Sequence, residues 1–128
     1  MIRRCLLAAL LLPACSLSGP DVETVRSPDA EGVVVNKTRA PFLAWGLDAR
    51  SAARADIAPE IAVTHANRDA VVPSGEAAPL VIDEYAPGQP FVVFLYRVRG
   101  DVATYEGLKK VESRDFEQDG RVVRVRRF

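Results

Sequence analysis

Residues Phe91-Val92-Val93-Phe94-Leu95-Tyr96-Arg97-Val98 are apolar at almost every position and dominated by β-branched and aromatic side chains. That pattern describes a strand covered on both faces. Successive side chains of a strand point to opposite sides, which places Phe91, Val93 and Leu95 on one face and Val92, Phe94, Tyr96 and Val98 on the other. A chain that holds such a strand must supply two apolar layers, one for each face. Just upstream, Pro87-Gly88 is the strongest type II turn signal in the chain, with proline presetting φ and glycine supplying the positive φ that follows. Across an Arg99-Gly100 turn, residues 101–105 are expected to pair back on the central strand.

The rest of the chain reads as short strands separated by turns. Gly32-Val33-Val34-Val35-Asn36-Lys37-Thr38 and Pro41-Phe42-Leu43-Ala44-Trp45-Gly46-Leu47 predict a hairpin or a kinked strand pair. Asp48 is placed to cap a short helix over 49–54, expected to be the only sizeable one. Residues 60–72 read as one or two strands interrupted at Asn67-Arg68-Asp69, and Leu80-Val81-Ile82-Asp83 resumes after a turn at 73–76. A helical turn over 113–119, ended by Gly120, leads into a last strand over 121–127. Turn signals about every ten residues and seven or eight short strands point to a small antiparallel β-sandwich, immunoglobulin-like, with one short helix. A small open barrel is the second choice. Trp45, Phe94 and Tyr96 are assigned to the core, and the folded domain to residues 32–128.

The amino-terminal residues carry a different message. Arg3 and Arg4 precede the apolar run Cys5-Leu6-Leu7-Ala8-Ala9-Leu10-Leu11-Leu12, the arrangement of a secretory signal peptide. The run falls well short of the roughly 20 apolar residues that span a bilayer, and Pro13 ends it. The sequence Leu12-Pro13-Ala14-Cys15 resembles the lipobox of bacterial lipoproteins, although Pro13 departs from the small or β-branched residue usual there. The resemblance covers residues 1–15 and implies that 1–14 are removed as a signal peptide. It also implies a diacylglycerol thioether on Cys15 and acylation of the new α-amine. Ser16, rather than the aspartate associated with inner-membrane retention, points by the same analogy to the outer membrane, with the domain facing the periplasm. Residues 15–31 then become the lipidated cysteine and a flexible tether, being rich in Ser, Gly, Pro and acids without a strand or helix period.

Charge excludes some classes of function. Seventeen Lys and Arg balance 17 Asp and Glu, so no global field gathers nucleic acid or another polyanion. Loss of the leader would take Arg3, Arg4 and Cys5 with it, leaving a mildly acidic chain whose only cysteine is Cys15. A domain without disulfides rests on packing, and a chain of this size buries roughly two-thirds of its unfolded surface.

Few residues suggest chemistry. The one histidine, His65, is expected on a strand or strand end, and no serine sits in a nucleophile elbow beside it. No metal-binding spacing of His and Cys occurs. The carboxylate pairs Asp83 with Glu84, Glu112 with Asp115 and Glu117 with Asp119 read as solvated surface. Asp115, Glu117, Asp119 and Gly120 match the opening positions of an EF-hand calcium loop, but Arg126 stands where the bidentate glutamate belongs. Asn36-Lys37-Thr38 matches a glycosylation acceptor, accidental in a bacterial protein. Arg124 and Arg126 alternate with Val123 and Val125, so a basic ladder is expected on the solvent face of the last strand, with Arg121 and Arg127 at its margins. Charge of that kind keeps an edge strand soluble, and it also suits anionic lipid head groups or an acidic partner. The reading is therefore a membrane-anchored envelope lipoprotein, non-enzymatic, with no cofactor and no nucleic acid, bound to the membrane through Cys15 and to an unknown envelope protein partner. The alternative is an envelope enzyme or ligand carrier whose site is scattered through the sequence.

Overall fold

A computed structural model describes residues 19–128; the expected signal peptide over 1–14 and Cys15 lie outside the described residues. The fold is a small all-β sandwich of two sheets. Strands β1 (Gly32–Asn36), β4 (Ala77–Leu80) and β8 (Val122–Val125) form one sheet in the order β4-β1-β8. Strands β2 (Phe42–Asp48), β3 (Glu60–Ala62), β5 (Ile82–Asp83), β6 (Phe91–Arg99) and β7 (Val102–Val111) form the other, in the order β3-β7-β6-β2-β5.

The central strand is β6, and its alternation divides the molecule as the sequence requires. Phe91, Val93 and Leu95 enter the main core between the sheets, beside Val34, Phe42, Leu80, Val111, Phe116, Val123 and Val125. Val92, Phe94, Tyr96 and Val98 join a second apolar layer on the outer face, closed by Leu47, Ile57, Val63 and Ala103. The chain between β2 and β3 supplies most of that cover. Upstream of β6, the Gln89 N–H donates to the Ala86 carbonyl at 3.0 Å, and Gly88 takes φ +88°. These are the marks of the expected type II turn. Gly100, at φ +60°, opens the two-residue loop from β6 to β7, as a primed hairpin turn requires.

Two of the six strand pairings are parallel, β1 with β8 and β2 with β5, so the sandwich departs from the wholly antiparallel arrangement expected. Nor do β1 and β2 form a hairpin. They belong to different sheets, and Asn36 makes the corner between them. Its amide nitrogen donates to the carbonyls of Ala40 and Val72, both at 2.8 Å. Its oxygen accepts from the Thr38 N–H at 2.9 Å and the Thr38 hydroxyl at 2.7 Å. Asn36 is wholly buried with both amide hydrogens engaged, so the glycosylation match falls on a structural residue.

Among the described residues there are three short α-helices instead of one. The expected helix is α2 (Ala49–Ala52), capped by the Asp48 carboxylate, which accepts from the Arg50 and Ser51 N–H groups. The longest is α3 (Ser113–Gln118), where the expected helical turn extends because Phe116 drives it into the core. Phe116 lies edge-on to Phe91 at 4.9 Å. The first, α1 (Val22–Val25), falls within the residues expected to be a tether. Asp21 caps it, Val22 and Val25 pack against Val33, Val35 and Val122, and Arg26 donates to the Gly120 carbonyl at 2.6 Å. Residues 21–26 thus belong to the folded domain, because the outer face of the three-stranded sheet is apolar and α1 covers it. Gly32 itself is fixed by crowding: a Cβ there would stand 2.5 Å from the Arg121 carbonyl oxygen and 2.7 Å from the Phe116 ring. Among the described residues, no helix is long and apolar enough to cross a membrane.

Candidate functional site: a basic cleft between two strand edges

The two sheets differ in width, and the mismatch opens a cleft. Among the described residues, strand β8 is an edge, hydrogen-bonded on one side to β1 and lacking a strand on the other. Strand β7 is covered by β3 at Val102–Thr104 alone, so its second half, residues 106–111, pairs only with β6. The two open edges line the same hollow. One cavity of about 420 Å³ lies between Lys109–Glu112 of β7 and its exit and Val122–Arg124 of β8, with α3 at its end. A second, of about 360 Å³, adjoins it between Leu108, Lys109 and residues 124–128, and a third, of about 630 Å³, continues past Arg126 to Lys37, Arg39 and Arg97.

Register explains the charge lining this cleft. Val122 packs outward while Val123 and Val125 enter the main core. Arg124, which shares the outward face with Val122, is exposed at the edge, and Arg126 and Arg127 follow it. On β7, Lys109 stands opposite Val93, hence on the core-facing side of its sheet, yet it is exposed because the narrower sheet stops short of it. A bulge at Leu95/Tyr96 resets the alternation of β7. Tyr105 thereby stays on the outer face, its ring 5.4 Å from that of Tyr96. Among the described residues, Lys37, Arg39, Lys109, Arg124, Arg126 and Arg127 enter no ion pair. Arg97 is the exception on the cleft wall. Its guanidinium lies 3.5 Å from the Glu106 carboxylate, too long and misdirected for a hydrogen bond, and sits 4.8 Å over the Phe128 ring. Phe128 in turn packs edge-on against Phe42 at 6.1 Å, closing the cleft floor.

Not every arginine of the expected ladder belongs to it. Arg124, Arg126 and Arg127 come together, whereas Arg121 is held elsewhere. Its side chain bonds both oxygens of Glu117, at 3.1 Å and 3.0 Å, and lies 5.9 Å over the Tyr85 ring. Tyr85 donates its phenol to the same carboxylate at 2.8 Å. The bond from Arg121, then that from Tyr85, holds the Glu117 carboxyl below the usual range, and the same pairing holds the Arg121 guanidinium above its own. Burial, then Glu117, raises the Tyr85 phenol. This cluster fastens the unusual backbone of Arg121, a non-glycine residue at φ +62°.

The remaining sequence candidates separate. His65 is exposed on a turn rather than in a strand. Asp83 accepts from the Trp45 indole N–H at 2.7 Å, Glu84 from the Ser51 hydroxyl, and Glu112 lies 3.8 Å from Lys110. Asp115 and Glu117 lie within α3, where residues two apart face different ways, so the calcium-loop match does not assemble a loop. Among the described residues, no group of three or more His, Cys, Asp or Glu could hold a metal ion. Trp45 corrects a core assignment: it stacks on Phe94 at 5.2 Å but remains 38% exposed. Sequence reasoning missed Lys37, Arg39 and Lys109, which reach the cleft from segments distant in the chain. The adjacent pair Lys109-Lys110 near the end of an apolar strand was the one local signal for them. No family model, curated protein or solved structure matches the chain.

Proposed function

We propose that this chain is a lipoprotein of the bacterial cell envelope, attached through Cys15 to the outer membrane and presenting a non-enzymatic binding domain to the periplasm. The observation that carries the binding role is the cleft between β7 and β8. Lys109, Arg124, Arg126 and Arg127, which enter no ion pair among the described residues, line it beside strand edges with unused hydrogen-bonding groups. The leader and lipobox residues support the anchor. Two or more acyl chains make such attachment stable. With α1 packed on the domain, five residues separate Cys15 from Asp21 in the sequence. At about 3.4 Å per residue they reach on the order of 20 Å, so the cleft is held close to the membrane rather than ranging from it.

Metabolic labelling tests the anchor. The full chain expressed in a two-membrane bacterium fed an alkyne fatty acid should carry label and sediment with outer membranes, and Cys15→Ala should lose both properties. Equal labelling of the two, or a wild-type chain that stays soluble and unlabelled, would overturn the assignment.

A further inference from the structure

Resting on the reading of the domain as a binding module, we infer that the cleft takes an extended acidic segment of a partner polypeptide, seated as an added strand along β8. The edge of β8 offers backbone N–H and C=O groups that no strand among the described residues uses. Strand addition satisfies them, whereas a flat sheet of lipid head groups does not. The cations repeat with strand spacing. Arg124 and Arg126 are two residues apart, about 7 Å along an extended chain, which is the spacing of side chains on one face of an incoming strand. Lys109 approaches from the β7 side of the same hollow.

Charge along the cleft also sets a direction. Near α3 the wall carries Glu112, Asp115 and Asp119 among its cations, whereas the far end gathers Lys37, Arg39, Arg97, Arg126 and Arg127 around one carboxylate, Glu106. The acidic residues of the incoming segment therefore lie toward the Arg127 end, and its neutral or basic residues lie beside α3. Charge complementarity of this kind sets register and association rate.

The test uses the full chain in detergent micelles and a short fluorescent peptide alternating glutamate with threonine. The peptide should bind, more weakly as salt rises. Its lysine-for-glutamate counterpart should not bind. A version N-methylated at alternate backbone nitrogens keeps every charge and loses strand pairing, and it should bind about tenfold more weakly or worse, as loss of several net hydrogen bonds requires. Arg124→Glu with Arg126→Glu should weaken the acidic peptide on the order of tenfold. Both side chains are exposed, and an unchanged far-ultraviolet circular dichroism spectrum verifies the fold; Lys109→Glu gives a second, independent wall. Equal binding of the N-methylated peptide would reduce the site to diffuse charge and overturn strand addition. So would preference for phosphatidylglycerol vesicles with the peptide unbound, or no binding at all. The assay needs no membrane, so its failure is distinct from failure of the lipid anchor.

Discussion

Asn36 offers the sharpest test of how the two sheets are joined. Replacement by alanine removes four hydrogen bonds, of 2.7–2.9 Å, from a site with no solvent access. The loss is not uniform. The single Thr38 hydroxyl hydrogen, freed from the lost amide oxygen, can turn to the Ala40 carbonyl 2.9 Å away, and the Val72 carbonyl still accepts from the Phe42 N–H at 3.1 Å. Only the Thr38 N–H is orphaned outright. Four net bonds at about 0.5–1.5 kcal/mol each, offset by those surviving partners, give a destabilisation of about 3 kcal/mol. That is a large share of the roughly 5–15 kcal/mol by which such domains are stable.

Asn36→Asp sharpens the argument because it keeps the shape and reverses the donors. The carboxylate would face two carbonyl oxygens where the amide nitrogen donates, so protonation is favoured in the folded state and the folded pKa rises above the unfolded one. The native state then binds more protons than the unfolded chain, and stability falls as pH rises through that interval. Urea unfolding followed by Trp45 fluorescence, the only tryptophan in the chain, should show Asn36→Asp losing stability between acid and neutral pH while Asn36→Ala keeps a constant deficit relative to wild type. An alanine variant within 1 kcal/mol of wild type, to order of magnitude, would refute the reasoning. An aspartate variant whose deficit does not change with pH would do so equally.

The remaining expectations concern packing and charge. Gly32→Ala forces a Cβ against the Arg121 carbonyl and the Phe116 ring. Because a backbone oxygen cannot swing aside, it should cost about 1–3 kcal/mol in urea unfolding, and an unchanged midpoint would contradict the close approach. Phe116→Ala empties the aromatic cluster with Phe91 and Tyr85 and should cost about 3–5 kcal/mol, with loss of the near-ultraviolet aromatic signal. The Glu117 carboxyl is held low by Arg121 and Tyr85, so its contribution is present above the unfolded pKa and disappears as pH falls through the folded one. Glu117→Gln should therefore flatten the acid limb of a melting-temperature profile and leave its slope above neutrality unchanged. Val22→Asp with Val25→Asp should release α1, seen as rapid amide exchange over residues 21–31 with the sheets still protected; unchanged exchange there would mean that α1 is not held by those valines.

Much of the architecture is legible in the sequence because it depends on local periodicity. The period of two in residues 91–98 assigns the apolar β6 side chains to their layers, and Pro87-Gly88, Gly100 and Asp48 mark turns and a cap through their own backbone chemistry. Pairing partners are another matter. Nothing local in Gly32–Asn36 says that it joins β8 in parallel, because that choice is made by the Asn36 corner and the contact of Gly32 with Arg121 and Phe116, residues far apart in the chain. Residues 21–31 read as a tether because two valines among polar residues show no period. They fold because the outer face of β1 and β8 needs covering, a demand invisible until the sheet exists. The cleft follows the same division. Alternation exposes Arg124 and Arg126, but Lys109 becomes accessible only through the unequal widths of the sheets, and Arg121 is withdrawn by Glu117 and Tyr85. Hydrophobicity alone directs Trp45 inward, yet its N–H is satisfied by Asp83 at the rim.

Residue-resolved hydrogen exchange of the full chain, with and without the acidic peptide, addresses most directly the claim that an unfinished pair of strand edges is the working surface. The account predicts that β6 exchanges slowly throughout, that residues 106–111 and 122–127 exchange faster in the free protein, and that added peptide slows those two segments. Protection gained elsewhere, or edges already as slow as β6 without a ligand, would contradict it.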